Sequence, residues 1–394
     1  MSRHEWIVKI DGGDVAGITL VGARITYGRR TVDEQPAPGS ASITLLTADI
    51  SEEVSDKFPD FGPGDFAARS GFVEEWEDKY LGANSRLTIG AAVTLDANVP
   101  GGFVQEWDAD YTGGSSLRRF TGRITSLDYA FGTVRITAVD NLEKVARIAV
   151  DTTRPAETDV ERAKHYAALA GITLTVDGTA TVALLPIEKG SPSNALTQLY
   201  GTAREAGAIV YADRSGVVHY RARNAEVAPI VALPGEFTIL DSLSMKAELG
   251  EVINRVTVSY GIQDGVTKLR PTVTVEDKDS IARYGVFSEN KDTKLANIED
   301  AQELATRVIG NEAFPLYAMP EAQLTLVKDD PAAIDLLADI DLDGRVTVSP
   351  LPIGAPALAY TARLLGYVEE AASPDWLISY QLAPSEYLEE RLLA

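Results

Sequence analysis

The sequence predicts a mainly β protein with an α+β insertion: two β-barrel domains flanking a small α+β domain. Three observations carry that prediction. Alternating apolar and polar residues fill both ends of the chain, the period changes to that of helices in the middle, and short echoes link the two ends. The predicted units are residues 1–149, a first barrel with an insertion at about 51–118; residues 150–235, the α+β domain; and residues 236–394, a second barrel with one helix and a short C-terminal helix.

In the first unit, Ile18 to Leu20, Ala23 to Tyr27 and Ala41 to Leu45 read as strands, with Asp33, Pro36, Pro38 and Gly39 as turn formers between the last two. The pattern is lost over residues 51–80, which hold Pro59, Gly62, Pro63 and Gly64. Strand signals resume at Arg86 to Ile89, Ala92 to Leu95, Arg119 to Ile124 and Thr133 to Val139, and Asp140 to Lys144 predicts a short closing helix.

In the middle, Thr158 and Glu161 form a capping-box signature, and Gly171 ends the helix that follows. Val160, Ala163, Ala167 and Ala170 supply its apolar stripe. A second helix is predicted from Ser191, with Pro192 in its first turn, an apolar face of Leu196, Leu199, Tyr200 and Ala203, and Gly207 as its stop. Ala208 to Tyr211 and Val217 to Tyr220 then flank a tight turn and predict a hairpin. Pro229 and Pro234 mark the boundary.

The last third returns to strands at Val252 to Tyr260 and Pro271 to Asp277. A helix capped by Asn297 follows, with Ile298, Ala301, Leu304, Ala305 and Val308 on one face and Gly310 as its end. Gly344 to Ser349, Thr361 to Val368 and Trp376 to Leu382 predict three more strands, and Tyr387 to Leu393 a short amphipathic tail. Two echoes relate the ends. A Gly stands just before a Val-Thr pair at Gly90 with Val93-Thr94 and at Gly344 with Val346-Thr347, and Thr121-Gly122-Arg123-Ile124 matches Leu365-Gly366-Tyr367-Val368 in position. They point to an internal duplication.

At 394 residues the chain is long enough for two or three domains. It has no cysteine, which excludes disulfides, thiolate catalysis and most structural zinc sites, and fits a protein made in a reducing cytoplasm. No apolar run approaches a membrane span, and MSRHEWIVKIDGG lacks the apolar core of a secretion signal. The formal net charge of −22 argues against specific duplex binding. It serves either solubility or a surface that repels a polyanion.

One acidic, aromatic strip is written twice. Residues 71–80 read GFVEEWEDKY and residues 102–111 read GFVQEWDADY, and the match continues to Ser85 and Ser116 at a constant offset of 31. Phe72, Trp76 and Tyr80 are four apart, as are Phe103, Trp107 and Tyr111. Spacing of four places them on one face of either a strand or a helix. These six are candidate partner-docking residues, since Trp and Tyr favour interfaces; the other reading packs both stripes inward.

No catalytic, cofactor or metal site is predicted. His4, His165 and His219 lie far apart with no nucleophile set beside them. Asp339-Ile340-Asp341-Leu342-Asp343-Gly344 opens like a calcium loop, but Pro350 takes the place of the closing Glu. Glu75 and Glu106, each beside a Trp, suit a sugar-binding or polysaccharide-degrading protein, which is the alternative function.

The ordered set of motifs resembles a known family. A Gly28-Arg29 turn leads into Pro38-Gly39-Ser40-Ala41-Ser42-Ile43-Thr44-Leu45; Phe120-Thr121-Gly122-Arg123-Ile124 precedes Ile136-Thr137-Ala138-Val139-Asp140; the helix-helix-hairpin unit, Asn254 to Gly261, Ser280 to Gly285 and Ser373-Pro374-Asp375-Trp376 follow. This order is similar to that of the minor tail proteins of long-tailed phages that serve as baseplate or tail-tip hub. Each motif is weak alone, and the similarity runs across nearly the whole chain. The resemblance implies two tail-tube-like barrels per subunit and a homotrimer whose six barrels continue a hexameric tube. It also implies a distal tail protein, tail fibre or tip proteins and the tape measure protein as partners, viral DNA passing through the channel without specific binding, assembly in the host cytoplasm, a place at the virion tail tip, and no enzymatic activity.

Overall fold

The structure is a computed structural model, and it describes residues 5–14, 20–31, 34–46, 87–99, 115–130, 133–188, 190–225, 230–233, 235, 237–247, 249, 252–262, 269–326, 340, 342–355, 357–372 and 375–384. The first part of the chain forms β1 (Glu5–Ile10), β2 (Gly13–Asp14), β3 (Leu20–Gly28), β4 (Ala37–Leu46), β5 (Ala92–Val99), β6 (Ser115–Ala130), β7 (Thr133–Val139) and the short helix α1 (Leu142–Ala146). The middle forms β8 (Ala149–Asp151), β9 (Glu157–Thr158), α2 (Asp159–Leu169), β10 (Leu174–Asp177), β11 (Ala183–Leu184), β12 (Pro192–Asn194), α3 (Ala195–Ala206), β13 (Ile209–Ala212) and β14 (Val218–Arg221). The rest forms β15 (Val231–Ala232), β16 (Arg255–Ser259), β17 (Thr272–Glu276), α4 (Lys278–Tyr284), β18 (Ser288–Asp292), α5 (Ile298–Glu312), β19 (Glu321–Thr325), β20 (Arg345–Val348), β21 (Tyr360–Ala372) and β22 (Asp375–Pro384).

Both ends of the chain enter one curled, half-barrel sheet of 12 strands, ordered β15-β20-β21-β3-β4-β7-β6-β5-β1-β2, with β22 on β21 and β19 on β22. The alternation read from the sequence orients it. Ala23, Ile25 and Tyr27 on β3, Ala41, Ile43 and Leu45 on β4, and Val134, Ile136 and Ala138 on β7 are buried, while Ser42, Thr44 and Arg135 take the other face. Val346 and Val348 on β20 and Ile378, Tyr380 and Leu382 on β22 enter the same core.

A four-strand order occurs twice in this sheet. β5-β6-β7-β4 are neighbours in that order, all antiparallel, and so are β20-β21-β22-β19. In both sets the last strand in space is the first in sequence. The sequence echoes fall on corresponding strands: Val93-Thr94 and Val346-Thr347 on β5 and β20, Gly122 and Gly366 on β6 and β21.

The second core joins the middle of the chain to a later stretch. Tyr166, Leu199, Ala203 and Tyr220 pack with Val256, Val258, Leu295, Ala301 and Ala305. α5 and the β17-β16-β18 sheet thus share a core with the helices of the middle unit. Thr158 and Glu161 form the predicted capping box, Gly207 caps α3 at φ +66°, and the Asn297 side chain accepts from the Asp300 N–H.

Four local expectations change. Arg86 to Ile89 predicts a strand, but Ile89 lies exposed in a turn that Gly90 closes at φ +94°. The second helix starts at Ala195, not Ser191, because Pro192 to Asn194 pair with β8 and Asn194 supplies the cap. Gly310 does not stop α5, which runs on to Glu312. The helix α4, capped by Asp277, was not predicted. The C-terminal helix predicted at Tyr387 to Leu393 lies outside the described residues.

The two strand sets are joined through β3, which pairs with β4 on one side and with β21 on the other, from Gly22 opposite Ala372 to Gly28 opposite Gly366. The Gly-Gly crossing is steric. Gly28 has φ +98°, and a Cβ on Gly366 would lie 2.6 Å from the Tyr27 carbonyl oxygen. Gly28→Ala is expected to cost at least about 1–2 kcal/mol from backbone strain alone, with the Gly366→Ala clash comparable or larger. Urea denaturation of both variants measures this, and a Gly28→Ala variant as stable as the parent would contradict the tight crossing.

Candidate functional site

The features that tie the strand sets to each other and to the middle unit converge on one buried charge. Arg119 on β6 and Glu369 on β21 are 1% and 0% exposed at their side chains. Arg119 Nε donates to Glu369 Oε2 at 2.9 Å, and an Nη nitrogen binds the other oxygen, a bidentate fork. Arg214, on the β13–β14 turn, approaches the same carboxylate at 3.9 Å and donates to the Tyr367 hydroxyl at 2.8 Å and the Ile340 carbonyl at 3.0 Å. The nearby carboxylate and phenol ring overcome the burial that opposes the charge and hold the Arg214 guanidinium above its ordinary pKa.

Aromatic rings wall this cluster. Arg119 lies over Trp376 at 5.3 Å and Arg214 over Tyr367 at 4.9 Å. Tyr27 touches Phe120 and Tyr367, with centroids 5.9 and 5.5 Å apart, and Trp6 meets Trp376 edge-on at 5.0 Å. Two side chains in succession, Arg119 and Phe120, point inward because β6 carries a bulge there: Leu95 pairs with Phe120 and Asp96 with Arg118, leaving Arg119 as the extra residue. β6 and β21 each also carry an irregularity against the following strand, β6 at Thr125 opposite β7 and β21 at Leu365 opposite β22.

A second cluster lies at the outer end of the junction. Arg29 and Arg363 each reach Asp343 Oδ1 at 3.5 Å, and Arg221 reaches Oδ2 at 3.6 Å. Asp343, the fifth position of the calcium-like stretch, is thus surrounded by cations, which disfavours a bound cation there.

On the middle unit, His219 sits between Asp177 and Asp213, with ring nitrogens 2.9 and 3.3 Å from their carboxylates, and stacks on Tyr211. Its contact with Asp213 holds the imidazolium above the ordinary histidine pKa against the opposing burial, and Asp177 adds to this. His165 lies half-buried on α2. Neither has a nucleophile beside it in the contacts described.

The six predicted docking residues Phe72, Trp76, Tyr80, Phe103, Trp107 and Tyr111 lie outside the described residues, as do Glu75 and Glu106. What sequence reasoning missed is the Arg119–Glu369–Arg214 cluster and two bare apolar side chains on the β20–β21 connection, Ile353 and Leu358, 107% and 92% exposed. The only signal for the latter was the apolar, proline-containing run SPLPIGAPAL over residues 349–358. Among the described residues no helix is long and apolar enough to cross a membrane.

Glu369→Gln leaves two arginines buried beside a neutral group and is expected to cost about 3–5 kcal/mol; the double change Arg119→Met with Glu369→Met should cost less than the sum of the singles in a denaturation cycle. For His219 the raised folded pKa means that its contribution is full below pH about 6.5 and is lost as pH rises through the folded value. The melting temperature of the parent should therefore fall relative to His219→Gln above that pH, and parallel curves would contradict the bridged imidazolium.

No protein-family model and no curated protein matches the sequence. Solved structures do share its fold. The 43 kDa tail protein of prophage MuSo2 from Shewanella oneidensis is 13% identical with a TM-score of 0.56, over 97% of this chain and 97% of that one. The tail protein from Neisseria meningitidis MC58 is 11% identical with a TM-score of 0.60, over 98% and 97%. Prophage tail protein gp18 from Listeria monocytogenes EGD-e is 10% identical with a TM-score of 0.54, over 98% and 96%. From end to end, this chain has the fold of phage tail proteins.

Proposed function

We propose that this protein is the structural hub of a phage tail tip, three copies forming a ring that adapts a hexameric tail tube to the tip. The observation that carries this reading is the twice-used strand order, β5-β6-β7-β4 and β20-β21-β22-β19, joined into one sheet. Two pseudo-equivalent modules per chain let a trimer present six similar sectors to a six-fold tube, because symmetry matching needs repeated surfaces rather than identical sequences. The phage tail fold supports it, although fold alone does not specify function.

In this reading the ring encloses a channel for the tape measure protein and for DNA. Part of the −22 charge lines the channel, so that passing phosphates meet no attractive site. The distal tail protein binds on the tube side, and fibre or tip proteins bind outside or below. The doubled strips, with Phe72, Trp76, Tyr80, Phe103, Trp107 and Tyr111, and the bare Ile353 and Leu358 are the partner-docking elements. The protein assembles in the host cytoplasm, resides at the virion tail tip and acts without catalysis.

Imaging of the virion tail should place three copies around a threefold axis at the tip, next to the tube; a monomer or a dimer there would refute the ring. Changing Trp76 and Trp107 together to Ala should leave the chain folded but reduce tail assembly and infectivity by at least about tenfold, the scale of one lost aromatic anchor. Unaltered assembly would remove the strips from the docking role.

A further inference from the structure

We infer that the edge of β6 beyond Ile124 is where a second copy of this chain adds a strand. β6 and β21 are corresponding strands, and each enters its next strand through a two-residue connection, with Ala130 opposite Thr133 and Ala372 opposite Asp375. Counted back from those turns, residues 366–372 of β21 correspond to residues 124–130 of β6. On β21 that stretch is paired on both sides, to β22 and to β3. On β6 it is paired along one side, to β7, while β5 leaves the other side after Ala92 opposite Arg123. Ile124 still donates its N–H to the Ala91 carbonyl at 3.0 Å and accepts from the Gly90 N–H at 2.8 Å. Among the described residues no strand pairs with β6 beyond that point on this side.

The side chains show the same gap. Tyr129 stands directly opposite Val134, so the two share a face of the sheet. Val134 is 0% exposed and belongs to the core, yet Tyr129 is 63% exposed. Its counterpart on β21, Ala371, stands between Trp376 and Ala23 and is 3% exposed. The difference is the added strand: β3 covers Ala371, and no described strand covers Tyr129. Ser126, Asp128 and Ala130 are exposed as well. The backbone is suitably aimed. Ala130 and Thr133 close a two-residue turn and so exchange hydrogen bonds, and alternation then turns the N–H and C=O of Leu127 and Tyr129 away from β7. Outward donors and acceptors on an extended edge are a template for a further strand.

The occupant is specified by the sheet itself. The edge of β21 is filled by β3, which is paired to β4 of the first strand set. Within the molecule, one strand set thus caps the long strand of the other. The corresponding edge on β6 has no further strand set in the same chain to cap it, so the last strand set of a second copy supplies the strand, head to tail. A heterologous contact of this kind repeats from copy to copy, and it closes into a ring or runs on as a filament. The inference goes beyond the ring proposed above, because it names the edge and holds for any number of copies in contact.

The test uses the purified full-length protein. Sedimentation at rising concentration should show self-association of the parent by about 0.1 mM. Tyr129→Pro removes an N–H that serves no bond to β7, a change that a strand edge tolerates, and should weaken association at least about tenfold. Tyr129→Thr keeps the N–H and should fall between the two. Circular dichroism checks that each variant is folded, and should the proline variant not fold, crosslinking decides alone. With a benzophenone side chain at position 129, mixed isotopically light and heavy chains should give photo-adducts that join the two labels. A parent that stays monomeric, a folded Tyr129→Pro variant that associates like the parent, or adducts confined to single chains would each overturn the inference. The size of the assembly is read separately: light–heavy adducts in an assembly other than a trimer would support this edge and refute the threefold ring.

Discussion

Arg119 and Glu369 stand 250 positions apart in sequence, yet neither side chain has water to fall back on. Taking both charges out of solvent costs several kcal/mol per ion, which only good geometry and additional hydrogen bonds offset. The fork between them, the second cation Arg214 and the aromatic wall of Trp376 and Tyr367 supply that geometry. The interaction therefore acts as a register pin. Any slip of β21 against β3, or any withdrawal of the β13–β14 turn, strands a bare charge in an apolar core. First strand set, last strand set and middle unit are held to one relative placement.

Around that pin, duplication and asymmetry coexist. The two four-strand sets follow the same order, with glycines at related places on their long strands. Their surroundings differ. β5 is flanked by the antiparallel β1, and β20 by the two-residue parallel β15. Long intervening segments separate β4 from β5, and shorter ones separate β19 from β20. Such a molecule presents two similar strand sets in unlike surroundings.

Charge is distributed unevenly as well. A chain carrying 58 acidic residues against 36 basic ones nevertheless concentrates arginines at its internal joints. Arg119 and Arg214 meet Glu369, Arg154 and Arg162 meet Glu157, and Arg29, Arg221 and Arg363 surround Asp343. Guanidinium suits these places because its fork can satisfy several acceptors while it stays charged.

The sequence by itself determined the local elements. Period-two runs marked β3, β4, β7 and β22, the Thr158/Glu161 box and the Asn297 cap marked α2 and α5, and Gly207 marked the end of α3, because these signals act over a few residues. It also carried a trace of the repeat in Gly122 and Gly366. Only the tertiary structure decided that the two ends share one sheet and one core, and that α5 belongs with the middle helices. It alone turned Arg119 inward: alternation assigns successive residues to opposite faces, and a one-residue bulge shifts that assignment without changing composition. Pairing between segments hundreds of residues apart depends on shape and charge brought together in space, and no short window of sequence contains both partners.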